Sequence, residues 1–479
     1  MRSTRVLLLG LLVSAVLWNA CGSGSMSPVV QNKPPAPADN GTATVSLTMG
    51  DTPPAGVTIL SFELKVTAAV LNPHDPTHSP VSLLAQPVEV EIKRLEIERA
   101  FLNTASVPAD TYDSITVTFA NPQLTILNTS SGPIAGCAAG TVCKLEPPLG
   151  PASVTVSSAP FPLDLTGNSQ AGLLLDFNLN DSIQVDLSIQ PSVSFTQLAL
   201  VPGDDKPQPE EEMDEIEDVA GQVTAVDVAN QQFTFLNPLN GQTLAIQVND
   251  ATRFEDFDEA GLANTFAALA VGQVVEVDLT LMTGGSLVAK RVELRHTENE
   301  VEDEFEGTVV AVDSPTQIKM IVVSESDDSG TIQVGDQVTV TLESGAQFRI
   351  DDDGLTVPSD LVFASAADLL VGQNVQVRAA SGSSGAAVTT DRVRLRRSRF
   401  TAAVAAISDS NFSVNSLPGY FGMADPPITQ IDVRSTSETD FEDVSGISGL
   451  AVGNTVSLRG LLFKTSGNPL LLADTVRKR

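Results

Sequence analysis

The sequence is poor in the residues that most chemistry needs. Among 479 residues there are three cysteines, three histidines, one tryptophan and two tyrosines, and 27 basic side chains face 59 acidic ones. The net charge of −32 opposes a phosphate backbone, whose binding depends on Lys and Arg displacing counterions, so no nucleic acid partner is expected. Acidity of this kind reads as a self-repelling, soluble surface rather than a specific cation site. The few histidines restrict metal and base chemistry further. His74 and His78 stand four apart in "NPHDPTHSP", a spacing that serves zinc on a helix, but Pro73, Pro76 and Pro80 argue against a helix and predict an exposed loop. His296 precedes "TENEVEDE" with no Ser or Cys partner in view and reads as solvated. No phosphate-cradling glycine loop or nucleophile elbow occurs, so no cofactor is expected.

Long apolar runs are also scarce, and the one that exists is at the start. "MRSTR" carries two positive charges, "VLLLGLLVSAVLW" is mostly apolar, and "NAC" follows, the layout of an export signal. As helix, a run of about 13 residues rises about 20 Å, short of a hydrocarbon core of about 30 Å. The stretch "LWNACGSGS" resembles the lipobox of bacterial lipoproteins. That resemblance implies lipidation of Cys21 after loss of residues 1–20, with Gly22 favouring the outer membrane. Acyl chains contribute about 0.8 kcal/mol per buried methylene, enough for durable anchoring when several are attached. Residues 21–40, rich in Gly, Ser and Pro, read as a tether that holds the folded part off the membrane.

With Cys21 assigned to lipid, Cys137 and Cys143 remain in "GCAAGTVCKL". In an oxidising envelope two cysteines around so short a loop read as a disulfide, and the absence of neighbouring Cys or His disfavours a metal. The expected metal ligands are none.

From Thr42 the hydrophobic period becomes two. Ala43, Val45, Leu47 and Met49 alternate with polar residues; Leu60, Phe62, Leu64, Val66, Ala68 and Val70 do so next, and Ile183, Val185, Leu187 and Ile189 later. Such runs, broken by Pro and Gly clusters, predict an all-β antiparallel sandwich over 41–202. The phrases "GTATVSLTMGDTPPAGVTILSFELKVTAAVL" and "VPADTYDSITVTFANPQLTI" resemble the domain of unknown function 4382 family of bacterial lipoproteins, with Asp110 where that family usually has Gly. The resemblance implies fold and location but no activity.

Residues 203–218 are acidic and contain Pro, and are expected to form an extended linker. Beyond them one phrase occurs three times: "LAVGQVVEV" from Leu269, "LLVGQNVQV" from Leu369 and "LAVGNTVSL" from Leu450. Each copy follows an opening strand ("GQVTAVD", "GTVVAVD", "AAVAAIS") and a landmark phenylalanine (Phe254, Phe348, Phe441), and each precedes a closing strand ("AKRVEL", "TDRVRL", "ADTVRK"). Conserved order with variable loops marks a duplicated unit, here 219–296, 305–397 and 398–479. Gly272, Gly372 and Gly453 suit a turn with positive φ. After each glycine, Val275 and Val277, Val375 and Val377, or Val456 and Leu458 alternate with Glu276, Gln376 or Ser457, which predicts one buried and one wet face. Small OB-like β-barrels are expected. The triplet resembles the domain of unknown function 5666 family, on the Val-Gly-Gln/Asn phrase and its closing strand.

Carboxylates are abundant, in "RFEDFDEAG", "ESDDSG" and "RIDDDGLTVPSD". Asp351, Asp353 and Gly354 mimic part of an EF-hand loop, but Arg349 stands at its first ligand place and excludes the standard motif. The expected catalytic residues are none. The sequence predicts a non-enzymatic protein of structural or binding role, anchored to the membrane by lipid and contacting an envelope polysaccharide or a partner protein. The alternative is a carboxylate-based hydrolase of envelope or environmental polysaccharide.

Overall fold

The computed structural model describes residues 41–52, 58–97, 99–198, 215–236, 241, 243–281, 286–296, 304–325, 332–352, 355–379, 386–408 and 411–479. Cys21, the export signal and the tether lie outside the described residues, as do Asp353 and Gly354. The fold is nearly all β, with several sheets.

Two sheets face one another across the N-terminal core. One has four strands in the order Val193–Leu198, Gln170–Asn178, Thr42–Thr52 and Ala100–Pro108; the other is built on the long pair Ile59–Pro73 and Asp110–Leu127. All pairs in the first sheet are antiparallel except Thr42–Thr52 with Gln170–Asn178, which run parallel. Ala43, Val45, Leu47 and Met49 enter the core as the period of two requires, where Phe177 meets Phe119 edge-on at 5.5 Å. Tyr112 is buried and donates its hydroxyl to the Pro108 carbonyl at 3.0 Å, fixing the corner between two strands.

Two alternations behave otherwise. In Ile59–Pro73 the register shifts between Val66 and Ala68, so the buried residues become Ala69 and Leu71, while Ala68 and Val70 lie on the half-exposed side. A bulge of one residue exchanges the faces of everything after it. The run Ile183 to Ile189 is not a strand. Asn178 caps a short helix, Leu179–Ser182, and the chain then turns, with Asp186 accepting from the Ser188 backbone and hydroxyl and Leu187 at φ 67. Val185 is fully exposed as a result. Asn, Asp and Ser side chains here supply hydrogen bonds that compete with a ladder.

The three repeats share one pattern. In repeat 1 the opening strand Glu215–Asp227 is followed by Gln232–Leu236, Thr243–Gln247, the phrase strand Val274–Leu281 and the closing strand Leu287–His296. Their pairings form a closed circuit, because Thr243–Gln247 also pairs in parallel with the closing strand. The opening strand begins inside the stretch expected as linker, with Glu215 paired to Thr280. Repeat 2 closes in the same way through Gln337–Ile350 and Ala387–Ile407, and repeat 3 through Ile431–Arg434 and Leu470–Lys478. Each landmark phenylalanine pairs in parallel with a valine of its closing strand: Phe254 with Val292, Phe348 with Val393 and Phe441 with Val476.

The recurring phrase is a turn with its own lock. Gly272, Gly372 and Gly453 have φ of 94°, 92° and 90°, where a side chain is strained. Their N–H groups donate to the carbonyls of Val223, Val309 and Val404 on the opening strands, each at 2.8 Å. The next side chain, of Gln273, Gln373 or Asn454, accepts from the backbone N–H of Ala270, Leu370 or Ala451 at 2.7, 2.8 and 2.8 Å. Glycine makes the turn, the amide closes it, and the valines that follow enter the core. The phrase recurs because all three units need this same piece of scaffold.

Candidate functional site

The polar positions of the phrase strands are not wet. Glu276 is 5% exposed, Gln376 9% and Ser457 1%. The alternation places them on the outer face of each unit as expected. For Glu276 and Gln376 that face is covered by the neighbouring repeat, whereas Ser457 meets Thr401 and Arg479 of its own repeat.

Between repeats 1 and 2 the cover is ionic. Arg291, on the closing strand of repeat 1, has no exposed surface; it donates to Asp278 at 2.7 Å, Glu293 at 2.5 Å and Glu276 at 3.2 Å. Arg295, two residues on, pairs with Glu276 and reaches Gln376 of repeat 2 at 2.7 Å. From the closing strand of repeat 2, Arg394 binds Glu293 at 2.6 Å and also pairs with Asp256. Arg396 binds Glu276 at 2.7 Å and Glu293 at 3.4 Å while also pairing with Glu306 and Asp351 of its own repeat. One guanidinium thus meets four carboxylates, two on each unit. Planar forks with several donors suit such bridging, which a lysine cannot reproduce.

Electrostatics follow from this crowding. Burial alone would push the Glu293 carboxyl up, but Arg295, Arg396, Arg394 and Arg291 outweigh it and hold it well below the ordinary range. Burial acts in the opposite sense on Arg295 and Arg394, and neighbouring carboxylates overcome it, so both guanidiniums hold their protons more firmly than usual. These carboxylates are committed to arginines and are poorly placed for acid–base work.

Between repeats 2 and 3 the joint is of another kind. Ala387–Ile407 closes repeat 2 and, without a break, opens repeat 3. Apolar side chains cross the boundary: Leu461, Phe463 and Leu472 of repeat 3 belong to the core of repeat 2, and Val310, Ile321, Leu370 and Val371 of repeat 2 belong to the core of repeat 3. The short helix Gly419–Met423 inserts Phe421 over the turn of repeat 2, so close that a methyl group on Gly372 would overlap the ring. Leu60 and Leu127 of the N-terminal sheets join the same cluster. Charges contribute here as well: Arg397 and Arg459 converge on Asp474, the latter at 2.6 Å.

The other expected site residues are dispersed. Cys137 and Cys143 are joined by a disulfide, with Cα atoms 5.8 Å apart, beside the strand Val142–Leu145. His74 and His78 lie in an exposed loop, each with Nδ1 against a carboxylate: Asp113 at 2.9 Å and Asp110 at 2.6 Å. Those hydrogen bonds raise both imidazole pKa values. Asp351 faces Arg396. Among the described residues no group of three or more His, Cys, Asp or Glu side chains is arranged to hold a metal ion. The arginine-rich layer is what the sequence reading missed, and its signal is "DRVRLRRSRF", five arginines from 392 to 399 in an acidic chain.

Solved structures to which the chain is similar include the following two. A multidomain protein with nucleic acid binding domains from Streptococcus pneumoniae TIGR4 is 13% identical over 53% of this chain and 72% of its own, with a TM-score of 0.11. Drosophila Unr CSD456 is 11% identical over 55% of this chain and 97% of its own, with a TM-score of 0.14. Likenesses this slight carry no argument. No curated protein matches the chain. Residues 220–293, which make up most of repeat 1, match the family described as Domain of unknown function (DUF5666), and a domain of that family is therefore present there.

Proposed function

We propose that this is a lipid-anchored protein of the bacterial cell envelope with a non-catalytic, structural or binding role. The export-like N-terminus and Cys21 within a lipobox-like phrase support the anchor and an outer-membrane location, facing the periplasm or the cell surface. The observation that carries the role is the use made of the charged side chains. Glu276, Glu293, Glu306 and Asp351 are turned inward onto Arg396, where they join modules rather than line a cleft.

The repeats are proposed to be OB-like barrels. Counting five strands per unit, the circuit of pairings runs first, second, third, fifth, fourth and back to the first, with third and fifth parallel, which supports that reading. Packed against one another, such modules offer a partner or polymer a surface of fixed spacing, the condition under which several weak contacts add up.

The test exposes the purified full chain to isolated envelope and polysaccharide fractions and scores retention and product release together. Saturable retention without product is expected; released product overturns the proposal in favour of a hydrolase. Incorporation of labelled palmitate, lost in Cys21→Ala, checks the anchor separately.

A further inference from the structure

We propose that repeat 1 is a swinging module, held on repeat 2 by an ionic latch whose keystone is Arg396. Three observations carry this. First, among the described residues the apolar core of repeat 1 includes no residue of repeat 2, and the core of repeat 2 includes none of repeat 1. Polar side chains cross the junction: Arg295 to Gln376, Arg394 to Glu293 and Asp256, Arg396 to Glu276 and Glu293. Second, repeats 2 and 3 share one continuous strand and exchange apolar residues, so they cannot part without exposing core. Third, Phe101 of the N-terminal sheets is part of the core of repeat 1, which gives the module a second support to turn about.

The physics of buried ion pairs makes such a joint reversible. Closing it removes several charges from water, and their mutual attraction roughly repays that desolvation rather than exceeding it. The geometry is nevertheless strict, because each fork must meet its carboxylates in register. An interface built this way fixes orientation while contributing little net free energy. Opening it hydrates charges and exposes no apolar core of either repeat. Salt favours the open state, since separated and hydrated charges are screened while buried ones are not.

The test uses the full chain with Cys21→Ser and spin labels on Val271→Cys in repeat 1 and Val362→Cys in repeat 2, two exposed positions. Distances are read by pulsed electron resonance. One narrow distribution is expected at low salt. A second, longer population should grow toward about 1 M NaCl, where the screening length is about 3 Å, and should dominate in Arg396→Gln. A control pair, Val362→Cys with Val452→Cys across repeats 2 and 3, should stay single throughout. A repeat 1 to repeat 2 distance unmoved by salt and by Arg396→Gln overturns the proposal, and so does broadening of the control pair together with it. If Arg396→Gln fails to fold, Glu293→Gln replaces it, and the salt series on the unsubstituted latch decides by the same criterion.

Discussion

The two junctions of the repeat array join similar units by different physics. Repeat 2 meets repeat 3 through a shared strand and interdigitated apolar side chains around Phe421, whereas repeat 2 meets repeat 1 through arginines and carboxylates. The turn that carries the recurring phrase registers the contrast. Val371 is 3% exposed because Phe421 and its neighbours cover it, while Val271, in the same place on repeat 1, is 54% exposed. A duplicated scaffold thus keeps its inner face and is free to vary its outer one, and the outer face decides how units are joined.

Substitutions at the apolar junction should strike two repeats at once. Phe421→Ala removes a fully buried ring from a cluster shared by repeats 2 and 3, and is expected to cost about 3 to 5 kcal/mol in chemical denaturation. A loss below about 1 kcal/mol would mean that the cluster does not bind the units together.

The paired glycines sharpen the comparison within one motif. Gly372→Ala meets both a positive φ and the Phe421 ring, whereas Gly453→Ala meets the φ alone, with open space around the new methyl. The first should cost several kcal/mol by strain and overpacking, and the second about 1. Equal losses in thermal melts would show that the ring does not press on the turn.

At the ionic junction, removing one partner should hurt and removing all should not. Glu293→Leu leaves Arg291, Arg295, Arg394 and Arg396 short of a carboxylate and is expected to cost about 3 to 5 kcal/mol of local stability. Only replacing the layer as a whole, Glu276, Asp278, Arg291, Glu293, Arg295, Asp351, Arg394 and Arg396, by apolar residues of similar volume should be neutral or stabilising, and should abolish the salt response of the junction.

Acid acts at both junctions, because burial would raise the Asp474 carboxyl between repeats 2 and 3 but Arg459 and Arg397 hold it below its ordinary range. Glu276 shares Arg291, Arg295 and Arg396 with Glu293, whose carboxyl is depressed in the folded chain by Arg295, Arg396, Arg394 and Arg291 against the effect of burial. The contribution of Glu293 is therefore complete above the unfolded value of 4.5 and is lost only as pH falls from there through the depressed folded value. Denaturation of repeat 1 followed against pH should show a plateau through the neutral range and a fall on the acid side of that value. Reduction of Cys137–Cys143 acts away from both junctions. The loop it closes is short, worth about 2 kcal/mol by chain entropy, and a thiol-dependent melt should leave the repeats untouched.

What was legible in the sequence was local. Gly272, Gly372 and Gly453 announce their turn because φ depends on one residue, and Val275, Val375 and Val456 announce burial because the strand period is fixed. The ionic layer was not legible. Arg396 meets Glu276 across 120 residues of sequence, and Glu276 alternates with valines just as a solvated residue would. Binary pattern distinguishes the inner face from the outer one but does not say whether another unit covers the outer one. The bulge after Val66 was hidden for a similar reason, since inserting one residue leaves composition and apparent period intact.

Native-state hydrogen exchange along the full chain, repeated over a range of NaCl concentrations, tests most directly whether two kinds of joint hold the array. Amides of residues 220–293 are predicted to exchange through an opening of lower free energy that falls as salt rises, while those of 304–479 share a higher, salt-independent value. A single free energy for all three repeats at every salt concentration would contradict it.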